Sequence, residues 1–317
     1  MTPWQPTATI TTLRKRAEII QRIRAFFVER DILEVDTPLL SEASVTDPHV
    51  HSISANYAPI GGSAKKLFLQ TSPEYAMKRL LAAHSGPIYQ ICKAFRQDIT
   101  GRYHQPEFTM LEWYRPGFDH HQLMDEMDAL LIAILNTPSA KRITYQNLFE
   151  IHCNINPHTC SDLVLQQHVA KNIELATPVT SRNDCLDLLL THCIEPNMEK
   201  DRPIFIYDFP ITQAALAKIR SEENPPVASR FEVYFQGVEL ANGFHELLDA
   251  SEQRNRFESD LHYRALHHLP EIPLDMLFLA ALNAGLPDCA GVALGLDRLI
   301  LLALNKDFLK EVLSFGA

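Results

Sequence analysis

The stretch 230–246, RFEVYFQGVELANGFHE, most constrains what this chain can fold into, because its side chains alternate in character on both sides of a Gln236-Gly237 step. Two-residue loops of this composition join antiparallel strands whose twist they match. In that register Glu239 lies opposite Tyr234, and Glu232 shares the face of Tyr234 two residues along. Two carboxylates on one surface suit a divalent cation, since Mg2+ is commonly held by one or two carboxylates together with substrate phosphates. Two solvated glutamates on an outer face are the plainer reading of the same pattern.

A second strand pair is written around a polar loop at residues 99–105, with Phe95-Arg96-Gln97-Asp98 before it and Pro106-Glu107-Phe108-Thr109-Met110-Leu111-Glu112-Trp113-Tyr114 after it. Alternation sets Arg96 and Asp98 on one face. An arginine there grips a phosphate through two parallel donors, with Arg102 and His104 in reach of the outer phosphates of a nucleotide. Taken alone, the pair is equally an ordinary surface ion pair. Further on, Gly291 and Gly295 precede Asp297-Arg298 and the apolar run 299–304, a strand or turn entering a buried helix. Such glycines let a flat ring lie against backbone, with Arg298 stacked on it, and tight helix packing accounts for them too. Neither a Gly-Lys-Ser/Thr phosphate loop nor a Gly-x-Gly-x-x-Gly fingerprint occurs, so the two commonest nucleotide folds are not indicated.

Taken in order, these segments resemble the three motifs of the class II aminoacyl-tRNA synthetase catalytic core, of the lysyl type. Residues 26–38, with Phe27 and Leu33-Glu34-Val35-Asp36-Thr37-Pro38, resemble motif 1; residues 95–114 resemble motif 2; residues 291–298 resemble motif 3. Ser72-Pro73-Glu74 and Leu240-Ala241-Asn242-Gly243-Phe244-His245-Glu246 narrow the likeness to lysine activation, and most closely to the branch of the family that attaches lysine to elongation factor P. The resemblance implies an α+β fold, an antiparallel sheet flanked by helices. It implies one catalytic domain over residues 1–317 and a homodimer built through motif 1. It also implies ATP and Mg2+, the metal at Glu232 and Glu239.

By the same resemblance, Arg96, Gln97, Asp98, His104, Gln105, Glu239, Leu240, Gly295 and Arg298 surround ATP, with Arg96, Arg298 and Glu239 carrying catalysis. Ser72, Pro73, Glu74, Tyr114, Asn242, Phe244, Glu246 and Ala293 take the amino acid. Glu74 meets its α-ammonium, Glu246 and Tyr114 its distal ammonium, and Phe244 packs along its stem. A buried cation requires such carboxylates and hydrogen bonds. Ser72-Pro73-Glu74 also reads as a helix cap, a first-turn proline and an acid favoured by the helix dipole.

Departures from the family pattern sharpen the reading. Ala293 stands where lysyl synthetases usually have glycine and the protein-modifying relatives alanine. One added methyl changes discrimination by roughly 1 to 3 kcal/mol, so Ala293 is expected to favour (R)-β-lysine over α-lysine. Motif 2 carries Gln97, Asp98 and Gln105 where the family has Asn, Glu and Asn, and Asp98 is one methylene short of the usual acid.

The motif 1 helix, at about residues 13–30, begins near the first residue, so no anticodon-binding domain is expected. The formal charge is −10, from 29 basic and 39 acidic residues, with no basic block. Affinity for nucleic acid comes largely from phosphate neutralisation, so a protein lysine of elongation factor P is expected as acceptor rather than tRNA. Two rivals are a truncated synthetase-like enzyme charging tRNA or a small amine, and a non-catalytic paralogue that binds lysine or nucleotide. The joint presence of Arg96, Glu232, Glu239 and Arg298 argues for catalysis.

Helical apolar spacing recurs at residues 13–27, 121–135 and 163–190, the last within an expected helical insertion at about 137–200. Asn224-Pro225-Pro226 marks a mobile loop before the glutamate hairpin. Six cysteines without a Cys-x-x-Cys pair or a secretory signal point to reduced thiols in the cytoplasm. His152-Cys153 and His158 with Cys160 match no zinc spacing, and no apolar run spans a bilayer.

Overall fold

The computed structural model describes residues 4–316. The chain forms two compact units, one from its two ends, through Gly117 and from Leu248, and one from Phe118–Leu247. The first unit opens with α1 (Ile10–Val28), capped by the Thr9 side chain, which accepts from the Thr12 amide. Ile19, Ile23, Phe26 and Phe27 fall on its buried stripe. Phe27 stacks on Tyr89 with ring centroids 4.3 Å apart and meets Trp113 edge-on at 5.4 Å. After β1 (Leu33–Glu34), the strands β2 (Leu40–Ser41), β3 (Ser54–Tyr57) and β4 (Lys65–Leu69) make a small separate sheet in the order β2-β4-β3. Then come α2 (Glu74–Ala82), β5 (Ile88–Phe95) and β6 (Glu107–Pro116).

The second unit starts with α3 (His120–Leu135). Asp119 and Gln122 close its first turn as a reciprocal capping box, and Asn136 ends it in the left-handed region at φ 55°. β7 (Lys141–Thr144) and the helices α4 (Tyr145–Cys153), α5 (Asp162–Asn172) and α6 (Arg182–Leu189) follow, the helices capped by Thr144, Ser161 and Ser181. The helical spacing read over 163–190 is thus two helices, broken at residues 173–181, where Pro178 withholds an amide donor. β8 (Ile204–Pro210), β9 (Ile219–Arg220), β10 (Val227–Phe235) and β11 (Val238–His245) complete a sheet ordered β11-β10-β8-β7, with β9 also on β10. Its helices and strands share one apolar cluster around Tyr145, Phe149, Leu186, Ile206 and Phe209. The Asn224-Pro225-Pro226 segment is the connection between β9 and β10.

The chain returns to the first unit with α7 (Ala250–Leu266), α8 (Met276–Gly285), β12 (Cys289–Gly295) and α9 (Leu296–Ala303). That unit's main sheet runs β1-β5-β6-β12, with β5, β6 and β12 antiparallel and β1 parallel to β5. Antiparallel sheet flanked by helices is the α+β arrangement expected. Among the described residues no helix is long and apolar enough to cross a membrane.

One local expectation is corrected. β5 ends at Phe95, so alternation along a strand does not set Arg96 and Asp98 on one face. Arg96 still donates its amide to Pro106 O at 3.0 Å, and the Gln97 amide, on the opposite edge as alternation requires, goes to His51 O at 2.8 Å. Pro106 has no N–H with which to return a bond to Arg96 O, so the ladder stops there.

Candidate active site

In the first unit the register of β6 against β12 puts Glu112 opposite Ala293, Tyr114 opposite Gly291 and Met110 opposite Gly295. These six positions share one face by alternation. The spaced glycines of motif 3 and Ala293 therefore stand beside the two largest polar side chains of that face, where minimal side chains leave room. On the other flank, β5 brings Gln90 opposite Glu112.

Glu112 is only 1 % exposed. Ser72 Oγ donates to its Oε1 at 2.6 Å and Tyr114 Oη to its Oε2 at 3.1 Å. Ser72 Oγ also accepts from the Glu74 amide at 3.0 Å, so one hydroxyl both caps α2 and holds Glu112. Pro73 occupies the N-cap position without a side-chain bond of its own. Burial first, and then the nearby Glu74 charge, push the Glu112 carboxyl up to about 8, against the two hydroxyls and Arg96, which pull it down. Glu74 is paired with the wholly buried Lys78 ammonium at 2.5 Å, one helical turn on. Neither Glu112 nor Lys78 was singled out from sequence. Glu112 sits in a run that reads as a core strand, and the i, i+4 spacing of Glu74 and Lys78 was the available signal for the latter.

Arg96 lies between this pocket and the loop that follows β5. Its Nη2 donates to Thr71 O at 3.4 Å, its guanidinium carbon is 5.3 Å from the Phe108 ring centre, and its buried Nε has no hydrogen-bond partner. A guanidinium with a spare buried donor is suited to an anionic ligand. Gln97 is committed elsewhere, donating to Ser52 O at 2.8 Å. Arg298 donates from Nε to Tyr103 O at 3.1 Å and from Nη2 to His104 Nε2 at 2.9 Å. Because arginine only donates, His104 is neutral there with its proton on Nδ1. Burial and then the Arg298 charge hold the His104 pKa below its usual value, with Asp98 opposing. Asp98, His104, Arg96 and Arg298 thus share one electrostatic neighbourhood. Gln105 is buried. Arg102 does not project into that neighbourhood: it donates to Asp307 O at 2.7 Å and to Asp307 Oδ1 at 3.1 Å.

Asp297, beside Arg298, ties motif 3 to motif 2 and to α1. Its Oδ2 accepts from the Thr109 amide at 2.6 Å, and its Oδ1 meets Arg16 Nη2 of α1 at 2.6 Å. It is 2 % exposed, and removing it would take the counter-charge from Arg16 and leave an amide on β6 without its acceptor.

In the second unit the glutamate hairpin has the turn read from sequence: Gln236 and Gly237 adopt φ 53° and 75°, and Tyr234 pairs with Glu239. The ladder shifts by one residue between Val233 and Tyr234, making Leu240 an extra residue whose side chain is buried. Arg230 dominates this face. It is ion-paired with Glu232 Oε1 at 2.5 Å and donates to Asn242 Oδ1 at 3.2 Å. Tyr234 Oη donates to Glu232 Oε2 at 2.9 Å. Burial works against the Arg230 charge, yet Glu232 and Glu239 together hold its pKa above the usual value. Glu232 is therefore not a solvated surface acid. A carboxylate keeps further lone pairs when each oxygen accepts one bond, so Glu232 and Glu239 fit an Mg2+ completed by phosphates. Phe244 lies in the apolar cluster of this unit, and Glu246 is 1 % exposed beside a bridge to Ala217. Among the described residues no group of three or more His, Cys, Asp or Glu is placed to hold a metal.

Comparison with known proteins gives the family of the chain. The family of class II tRNA synthetases (D, K and N) matches residues 5–317. The chain is 50 % identical over 320 residues to an "Elongation factor P--(R)-beta-lysine ligase" of Edwardsiella ictaluri, covering 100 % of this chain and 98 % of the relative. Proteins of the same name from Vibrio atlanticus and Salmonella gallinarum are 52 % and 50 % identical, each over 98 % of this chain and 97 % of their own. The chain belongs to the class II tRNA synthetase family.

Proposed function

We propose that this protein uses ATP to activate lysine, by preference (R)-β-lysine, as an aminoacyl adenylate and then transfers the acyl group to a lysine side chain of elongation factor P. The observation that carries the reading is the buried Glu112, bracketed by Ser72 and Tyr114 next to Glu74 and opposite Ala293: a pocket for a cation with no resident cation on Glu112. The names of relatives about half identical over nearly the whole chain supply the acceptor and the β-amino acid.

The substrate carboxylate is ionised at neutral pH and attacks the α-phosphate of ATP without a general base; pyrophosphate leaves. Catalysis then rests on alignment and charge neutralisation. Arg96 and Arg298 grip the nucleotide, with Asp98, His104 and Gln105 shaping its surroundings and Gly295 leaving space. Glu232 and Glu239 would hold Mg2+, which neutralises the phosphates when bound. Glu74 takes the substrate's proximal ammonium and Tyr114 and Glu246 the distal one, with Asn242 and Phe244 lining its path. Ala293 disfavours α-lysine by its methyl. A homodimer through motif 1 is supported by Val28, Leu33 and Leu40, apolar side chains 71 %, 56 % and 45 % exposed. A cytoplasmic site of action follows from the acceptor.

The test is incubation with ATP, Mg2+ and labelled α-lysine or (R)-β-lysine, offering elongation factor P and total tRNA together. Label in elongation factor P, strongest with β-lysine, is expected. Label in tRNA would replace this reading with a synthetase, and label in neither with a binding protein.

A further inference from the structure

In what answers its charge, Glu112 differs from Asp297, the other buried acid of its unit among the described residues, and from the partly buried Glu74. Asp297 has Arg16 at 2.6 Å and Glu74 has Lys78 at 2.5 Å. Among the described residues Glu112 has two neutral hydroxyls and no ion pair, and it is 1 % exposed. A carboxylate so placed is costly to keep charged, and the usual escape is to take a proton.

The groups that face it come from every neighbouring element. From the lead of α2 and its first turns come Ser72, Glu74 and Lys78. From β6 itself comes Tyr114, and from β5 come Gln90, directly opposite, and Cys92, whose thiol is pushed up to about 12 by burial and then by Glu112. Arg96, past the end of β5, favours the charged form, and among the described residues it forms no ion pair with Glu112. β12 contributes Ala293, which has no charge to offer.

We propose that Glu112 is a proton-exchange site: it carries a proton in the free protein, and the ammonium group of the substrate displaces that proton on binding. The Glu112 O–H bond breaks, its proton passes to solvent, and the ammonium N–H groups donate to the freed carboxylate. Lys78 supplies a standing counter-charge to Glu74, so at Glu112 the positive charge of the substrate is taken up in exchange for the proton that leaves. The pocket thereby distinguishes an ammonium from a methyl of the same size, because only a cation offsets the cost of charging Glu112. This deepens the lysine-binding reading above and rests on it.

Calorimetric titration of the wild-type protein with α-lysine and with (R)-β-lysine at pH 7, in two buffers of different ionisation enthalpy, measures the protons released. Both amines of either ligand are charged at that pH, so released protons come from the protein. Close to one proton per site is expected, with the dissociation constant falling roughly tenfold per pH unit between pH 6 and 7 and levelling off above pH 8. Glu112→Gln should abolish the release. Tight binding with no proton release and a flat dissociation constant from pH 6 to 8 would overturn the proposal while leaving the lysine-binding reading intact. Absence of binding by either amino acid overturns both.

Discussion

The two units each bury a glutamate on a strand pair, and the contrast between Glu112 and Glu232 is instructive. Glu232 is 6 % exposed and clamped by Arg230 and Tyr234; Glu112 is 1 % exposed and, among the described residues, hydrogen-bonded to two hydroxyls and no cation. Both are strand carboxylates flanked by apolar neighbours and a tyrosine two residues on. What separates them is whether the fold supplies a cation. A buried acid that brings its own arginine has its charge offset before any ligand arrives. One that lacks a cation is incomplete until something positive arrives, and in this chain that acid lies beside the small residues of motif 3.

The contrast can be broken most sharply at Glu112. Glu112→Gln should lower lysine-dependent pyrophosphate exchange by about a thousandfold or more, because the ammonium then meets a neutral group in a dry pocket. It should leave stability unchanged or raise it by up to about 2 kcal/mol. The folded carboxyl sits at about 8, above its unfolded value, so the folded state binds the extra proton. Wild-type stability therefore falls as pH rises from the ordinary carboxylate range to about 8, and denaturant melts of Glu112→Gln should lose that slope. A steeper decline in the variant would contradict the assignment.

Arg230→Met is the matching change in the other unit and should act on stability first. It strands Glu232 without its cation, at a cost of about 3–5 kcal/mol in chemical denaturation. A loss below about 1 kcal/mol would mean that Glu232 is no more committed than Glu112. Next in size is Ala293→Gly, which should move the ratio of α-lysine to β-lysine activation toward α-lysine by roughly 10- to 200-fold. An unchanged ratio would remove Ala293 from the account of specificity. Smallest is Ser72→Ala. It takes a hydrogen bond from Glu112 and a cap from α2, costing about 1 kcal/mol and moving the midpoint of proton release to higher pH.

Much of this was readable locally. The Gln236-Gly237 turn needs left-handed backbone that glycine adopts freely, and the alternation around it leaves one register, so the hairpin follows from short-range rules. The ends of α3, α4, α5 and α6 likewise carry their own caps. The single-residue shift at Leu240 was not readable, since nothing local marks a bulge there. The end of β5 at Phe95 did have a signal: Pro106, opposite Arg96, has no N–H with which to return a ladder bond. For Glu232 a signal was present: Arg230 lies two residues earlier and therefore on the same face, and it predicts an ion pair as directly as Glu239 predicts a metal. For Glu112 there was none, since a lone acid among Met, Leu and Trp reads only as a strand.

By itself the amino-acid sequence determined the glutamate hairpin with its turn, the strands around motifs 2 and 3 and the family, because each depends on neighbours a few residues apart or on motifs kept in order. Only the tertiary structure decided which acids are answered by a cation. Glu112 acquires its character from Ser72, Glu74, Gln90 and Ala293, brought together from three strands and the start of a helix. The physical reason is that the cost of a charge depends on solvent exclusion and on every charge nearby, and both are properties of the packed interior rather than of any segment of chain.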